Sequence, residues 1–165
     1  MSVEAKQAKQ VIIDEIKAKL DGAQSAVVID YMGTTVAQAD AMRKKLREAN
    51  VDYTVYKNTL IKRAIEGTEF APLADVLDGP SAIAISKEDA TAPARVLKEV
   101  IDVFKKMEFK AGVVEGNFFD QDGIKEIASI PSRDVLSAKF MGSIQSPVSK
   151  AVRTFQAIAD AKAEA

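Results

Sequence analysis

Cysteine and histidine are both absent from this 165-residue chain. Without cysteine there are no disulfides and no thiol chemistry, which fits a reducing compartment such as the cytoplasm. Without histidine there is no Ser-His-Asp or Cys-His catalysis. With both missing, the usual zinc-binding sets are excluded, and neither a metal nor a cofactor is expected. No apolar run approaches the ~18 residues that a bilayer span needs, so no membrane partner is expected. The first ten residues are polar and charged and do not read as a signal peptide. Neither a G-x-x-x-x-G-K-[ST] nor a G-x-G-x-x-G phosphate loop is present, which counts against a small-molecule-binding regulatory α/β domain.

What is present describes a soluble globular protein, with 47% hydrophobic and 28% charged residues. The length suits one domain with an appended helix. Carboxylates are abundant, but abundance alone marks a solvated surface. The best candidates for a paired-carboxylate enzyme are Asp120 and Asp122, and their position beside Gly123, ahead of a helix, is explained by a turn and N-cap. No enzyme is expected. The formal net charge is −1. It is unevenly spread, since seven Lys/Arg oppose two Asp/Glu between residues 41 and 63. Nucleic acid responds to such a local field rather than to the chain average.

Along the chain, Val11, Ile12, Ile16 and Leu20 predict an amphipathic helix over 3–20, stopped by Asp21-Gly22. Residues 26–29 read as a buried strand. Thr35 with Gln38 forms a capping box that starts a helix reaching about Ala49, with Val36, Ala39, Met42 and Leu46 as its apolar face. Residues 51–57 alternate as a strand with Val51, Tyr53 and Val55 on one face, and Asn58 is expected to cap a short helix over 59–66. A short helix or turn follows over 69–77. Gly79-Pro80 precedes a strand over 81–86, then come a helix over 91–106, a strand over 109–114 and a short helix over 121–130. Pro131-Ser132 marks a boundary. A helix from Arg133 should weaken at Gly142-Ser143, and a final helix should begin at Ser146-Pro147. The expected fold is α/β, with a ferredoxin-like-type mixed sheet, flanking helices and a protruding C-terminal helix. The expected domains are 1–130 and 131–165.

Arg43, Lys44 and Arg47 share one helix face. Lys57 and Asn58 end the next strand, and Lys62 and Arg63 follow one helical turn later. Were strand and helices packed together, these residues could form one patch. Lys and Arg neutralise phosphates, the Asn amide positions, and the helix starting at Thr59 offers free backbone N–H groups to a phosphate. A solvated basic helix face would look the same from charge alone. Tyr31, Tyr53 and Tyr56 are candidates for base stacking, with strand packing the simpler account of the last two.

Several stretches together resemble a known family. Val55-Tyr56-Lys57-Asn58-Thr59-Leu60, followed by Lys62-Arg63-Ala64, is similar to the V-x-K/R-N-T-L-x-x-R-A signature of bacterial large-subunit ribosomal protein L-ten, the stalk-base protein. Asp30-Tyr31-Met32-Gly33-Thr34-Thr35-Val36 resembles its D-Y-R-G-x-T-V turn, with Met32 where the family often has Arg. Gly79-Pro80-Ser81-Ala82-Ile83-Ala84 resembles its G-P-T-A-I-A strand, and Ile130-Pro131-Ser132-Arg133 its L-P-S-R. The resemblance implies a ribonucleoprotein role in translation. The N-terminal domain would bind large-subunit ribosomal RNA beside a neighbouring stalk-base ribosomal protein. The C-terminal helix would hold dimers of the acidic stalk protein, which recruits GTP-bound translation factors. Carried over by position, the RNA-contact residues are Tyr31, Gly33, Thr35, Arg43, Lys44, Arg47, Lys57, Asn58, Thr59, Lys62 and Arg63. A messenger-RNA-binding regulator using the same surface is the alternative.

In the last helix, Val148, Ala151, Val152, Phe155, Ile158 and Ala159 follow i, i+3, i+4, i+7 spacing and form an apolar stripe. That stripe could pack on its own domain or on a partner helix. The resemblance implies the partner, and a helix starting at Pro147 has room for two stalk dimers.

Overall fold

The structure is a computed structural model that describes residues 3–163. Its elements, in chain order, are α1 (Val3–Leu20), β1 (Ser25–Asp30), α2 (Val36–Glu48), β2 (Val51–Thr54), α3 (Asn58–Ile65), a 3-10 turn (Ala71–Asp75), β3 (Ala82–Ser86), α4 (Ala92–Phe104), β4 (Glu108–Val114), β5 (Asn117–Asp120), α5 (Gln121–Ile127) and α6 (Arg133–Ala163). The chain divides into two units, Met1–Ile130 and Pro131–Ala165.

The first unit is built on one five-stranded sheet in the order β2-β3-β1-β4-β5. The α/β class holds. Each pairing is antiparallel, where a mixed sheet was expected. Because β1 and β2 are both antiparallel to β3, they run in the same direction with β3 between them. Likewise β3 and β4 run together with β1 between them. Two crossovers, β1-α2-β2 and β3-α4-β4, are thus interleaved.

Side chains alternate across the sheet, as a period of two requires. Val27, Ile29, Val51, Ala82 and Ala84 face one way and pack with Met42 and Leu46 of α2, Val96, Leu97 and Val100 of α4, and Ile124 of α5. Ala26, Val28, Ile83, Ile85, Ala111 and Val113 face the other way, onto Ile13, Ile16 and Leu20 of α1 and Leu60, Ile61, Ala64 and Ile65 of α3. Helices α2 and α3 therefore lie on opposite faces of the sheet. Gly112 is needed where α5 crosses β4: a Cβ there would lie 2.6 Å from Ile124 Cδ1 and 3.1 Å from the Ala26 carbonyl oxygen.

Several local expectations change. In α1, Ile13 is buried and Val11 is 66% exposed, because spacing 13, 16, 20 fits one helical face and position 11 does not. In α2, Met42 and Leu46 are buried but Val36, in the first turn, is exposed. The capping box closes α2 as expected: Gln38 N donates to Thr35 Oγ1 at 3.4 Å and Thr35 N donates to Gln38 Oε1 at 3.1 Å. Strand β2 ends at Thr54, leaving Val55 exposed. Asn58 is not a cap. The N-cap of α3 is Lys57, with no side-chain hydrogen bond, and the Asn58 amide is engaged elsewhere. Strand β5 adds an unexpected hairpin: Glu115 and Gly116 both have positive φ, 50° and 77°, as a two-residue primed turn requires.

The second unit consists of α6, one helix of 31 residues. At ~1.5 Å per residue it is about 46 Å long. Gly142-Ser143 does not interrupt it and Ser146-Pro147 does not restart it, since Pro147 lies inside the helix. A single glycine costs about 1 kcal/mol relative to alanine and an interior proline about 3 kcal/mol, and the helix nevertheless runs on through both, with flanks of two turns or more on either side.

Candidate nucleic-acid interface

Strands β1 and β2 end, and β3 and β4 begin, at the same end of the sheet, because Ile29 pairs with Ala82, Asp30 with Glu108 and Thr54 with Ile83. Four connecting segments consequently meet there: residues 30–35, 55–58, 78–81 and 105–107. The first is a compact turn. Met32 N–H donates to Asp30 Oδ1 at 2.8 Å and the Thr34 hydroxyl donates to the Tyr31 carbonyl at 2.8 Å. Gly33 has φ +77°, a conformation glycine adopts freely, and the Lys106 side chain would lie 3.7 Å from a Cβ there.

The second and third segments are bonded to each other. The Asn58 Nδ2 donates to the Gly79 carbonyl at 2.7 Å. Lys110 Nζ donates to the carbonyls of Asp78, at 2.5 Å, and Pro80, at 2.7 Å, and to Ser81 Oγ, at 3.1 Å. Helix α3 starts from this network without a side-chain cap, so its first turn presents backbone N–H groups and partial positive charge. Lys57 and Thr59 flank that start and are exposed.

The sheet end thus brings together Tyr31, Gly33, Thr35, Lys57, Asn58 and Thr59, and Lys62 reaches it through Asp78 of the 78–81 segment. It does not bring the other basic residues into one patch, which corrects the expectation of a single surface. The chain crosses from one face of the sheet to the other between α2 and α3, so Arg43, Lys44 and Arg47 are separated by the sheet from Lys62 and Arg63. Arg43 and Arg47 line a cleft of about 700 Å³ beside edge strand β2, together with Lys19, Lys87, Glu15, Asp52 and Glu88. The cations there are partly offset: Arg43 lies 3.5 Å from Asp40 and Lys19 lies 3.0 Å from Asp52. On the other face Lys62 lies 3.5 Å from Asp78, and Arg63 is exposed.

The tyrosines divide as well. Tyr53 packs against the core on the α2 face, and burial pushes its phenol up to about 12. Tyr56 packs against the opposite core, donates to Glu15 Oε1 at 2.7 Å, and has Lys19 Nζ 5.7 Å from its ring centroid. Burial, then the bond to Glu15, raise the Tyr56 phenol. The same bond, then Lys19, hold the Glu15 carboxyl below its ordinary range. Both rings are therefore held by packing within the domain, and Tyr31, half-buried, lies in the 30–35 turn. Asp120 occupies the N-cap position of α5 without a side-chain cap bond, and Asp122 lies 3.0 Å from Lys125, so the two do not make a carboxylate pair.

Three lysines at this end were not singled out from the sequence. Lys105 and Lys106 are exposed, just past α4. Adjacent lysines after a helix and before a strand were the available signal, and assigning them to the helix hid it. Lys110 had no signal, because its role depends on a strand irregularity.

On α6, Phe155 is 73% exposed. Val148, Ala151, Val152, Ile158 and Ala159 are helical in backbone, but their side chains lie outside the described residues. Leu136, Phe140 and Ile144, spaced by four, are exposed, as are Val135 and Met141. All five lie upstream of Pro147.

No helix among the described residues is long and apolar enough to cross a membrane. Residues 4–101 match the family described as ribosomal protein L10, and residues 130–165 match the ribosomal protein uL10 C-terminal region. The chain is 44% identical over 156 residues to the large ribosomal subunit protein uL10 of Bacillus cereus (strain B4264), covering 94% of each chain. The same figures hold for the uL10 proteins of Bacillus cereus (strain Q1) and Bacillus anthracis (strain A0248). With this identity along nearly its whole length and a family match over more than half of it, the chain belongs to the uL10 family, as a structural, non-enzymatic protein of the large ribosomal subunit, which in bacteria works in the cytoplasm.

Proposed function

We propose that this protein binds large-subunit ribosomal RNA through the sheet end where residues 30–35, 55–58, 78–81 and 105–107 converge. The supporting observation is the uncapped start of α3. Its free backbone donors stand beside Lys57 and the Asn58 amide, which is already oriented by Gly79. A phosphate placed there would gain backbone hydrogen bonds, the helix-end field and a flanking ammonium together. Lys62, beside Asp78, borders the site, and Arg63 on α3 and Arg43, Lys44 and Arg47 on α2 are the secondary, longer-range contacts. A neighbouring stalk-base ribosomal protein shares the site.

Helix α6 is the anchor for acidic stalk-protein dimers, two in number, through helix-in-groove packing. Pro147 divides it into residues 133–146, carrying Leu136, Phe140 and Ile144, and residues 147–163, carrying Phe155. Each part supplies one apolar anchor set. Through those dimers the protein supports recruitment of GTP-bound translation factors.

Two measurements test this. Sedimentation of cell lysate should place the protein with the large subunit, and filter binding should show preference for a large-subunit RNA fragment over competitor messenger RNA. Preference for the messenger would favour a regulator instead. Native mass spectrometry of the co-expressed stalk complex should give one copy of this chain with four partner copies. Six partner copies would reject the two-part division of α6, and a chain without partners would reject the anchor role.

A further inference from the structure

Strand β4 carries one residue more than the stretch of β1 opposite it. Val28 pairs with Ala111, but Ile29 pairs with Phe109, so Lys110 is passed over. Regular alternation would put Phe109 on the same face as Ala111 and Val113. The bulge instead places Phe109 in the α2-face core, while Ala111 and Val113 stay in the α3-face core. Bulges of this kind re-aim a side chain. Here the re-aimed side chain is Lys110, 16% exposed.

An ammonium has three N–H donors. Those of Lys110 meet three acceptors: the carbonyls of Asp78 and Pro80 and the hydroxyl of Ser81. Its nitrogen also lies 3.9 Å from Asp30 Oδ2. The two carbonyls flank Gly79, whose φ is +67°. Gripping both neighbours leaves the Gly79 carbonyl for the Asn58 amide. Asp30, on the other side of the ammonium, accepts the Met32 N–H that shapes the 30–35 turn. One half-buried cation therefore grips the 78–81 segment and lies against Asp30 of the 30–35 turn, its three N–H donors all engaged, while the 55–58 segment is joined indirectly through the Asn58–Gly79 bond.

We infer that Lys110 is a positioning residue for RNA recognition: it holds the 78–81 segment so that Gly79 fixes Asn58 and Asp30 fixes the 30–35 turn, without touching RNA itself. This rests on the RNA-binding reading proposed above. A ligand surface whose turns are fixed beforehand avoids the ordering cost on binding, and losing that order is worth about tenfold in affinity.

The test uses the full chain carrying Lys110→Met, with Lys110→Gln as a milder second variant should the first fold poorly. NMR of the free protein reads the Asn58 side-chain amide and the backbone amides of Gly79 and Ser81. RNA binding is measured over a salt series. The expected result is faster exchange and shifted resonances at those amides, about tenfold weaker binding, and a salt slope equal to that of wild type. Adding Asn58→Ala to Lys110→Met should cost less than the sum of the two single changes, because both act through one segment. A slope lowered by one phosphate's worth, with the amides unmoved, would show that Lys110 contacts RNA directly and overturn the inference. Unchanged affinity in a folded variant whose amides have moved would overturn it too. If wild type binds no RNA, the RNA reading itself falls, while the amide measurements on free protein still decide whether Lys110 holds the turns.

Discussion

Removing the charges at the sheet end should change RNA binding more than removing an equal number from α2. Consider Lys57→Ala, Lys105→Ala and Lys106→Ala combined. All three lysines are exposed, and none has an ion-pair partner among the described residues. Each phosphate neutralised adds about 0.7–0.9 to the slope of log affinity against log salt. Three lost contacts should therefore flatten the slope by about 2–2.7. Between 50 and 200 mM salt, wild type would then lose about 20- to 40-fold more affinity than the variant. The matching change in α2, Arg43→Ala, Lys44→Ala and Arg47→Ala, should flatten the slope by about 1 or less. Arg43 is already held by Asp40, and Arg47 shares its cleft with Glu15, Asp52 and Glu88. Filter binding with a large-subunit RNA fragment at several salt concentrations measures both, with circular dichroism confirming that each variant is folded. A sheet-end variant with an unaltered slope would refute the proposed interface, and a larger effect from α2 would move the interface to that helix.

Three other outcomes are expected. Gly112→Ala should lower stability by about 1–3 kcal/mol in thermal or urea unfolding, because Ile124 Cδ1 can swing away but the Ala26 carbonyl cannot; a loss below about 0.5 kcal/mol would mean that α5 is not seated on β4. A chain ending at Ile130 should unfold cooperatively and retain RNA binding, since among the described residues the buried core ones all precede that point; loss of cooperativity would show that α6 completes the core. Glu15 is held below its ordinary value of 4.5 first by the Tyr56 hydroxyl and then by Lys19. Its stabilising contribution is therefore present above that value and lost as pH falls through the lowered one. Tyr56→Phe removes the larger cause, so the stability gap to wild type, measured by chemical denaturation, should be present at pH 7 and narrow in acid.

The sequence was most informative where one local rule acted alone. The Thr35/Gln38 box, the buried run of β1 and the break at Gly79-Pro80 could be read directly, because capping, burial and turn chemistry each act over a few residues. Asn58 failed for the opposite reason. Its amide suits a cap, yet it bonds to a carbonyl 21 positions away, and that competitor is invisible until the sheet is assembled. The joining of all the basic residues into one patch failed because chain proximity does not reveal which face of a sheet a helix takes, and α2 and α3 take different ones. Lys110 was unreadable because a bulge is defined by the register of two strands, not by the sequence of one. Pro147 was over-read, since a proline ends a helix only when its neighbours do not sustain it.

The interleaved crossovers also have a consequence for how the molecule forms. Strand β1, at the centre of the sheet, has no neighbour close to it in the chain, because its partners are residues 82–86 and 108–114. Closing such distant pairs costs chain entropy before any burial is gained, which makes for slow folding. The first eighty residues contain helices α1, α2 and α3 but only β1 and β2, which do not touch in the sheet. A nascent chain of that length holds most of the residues that resemble the family signature, yet the sheet that gathers them is not assembled. The end of the sheet that gathers them exists only after β4 has been made, so the capacity to grip RNA should appear late in synthesis and all at once, rather than growing with the chain.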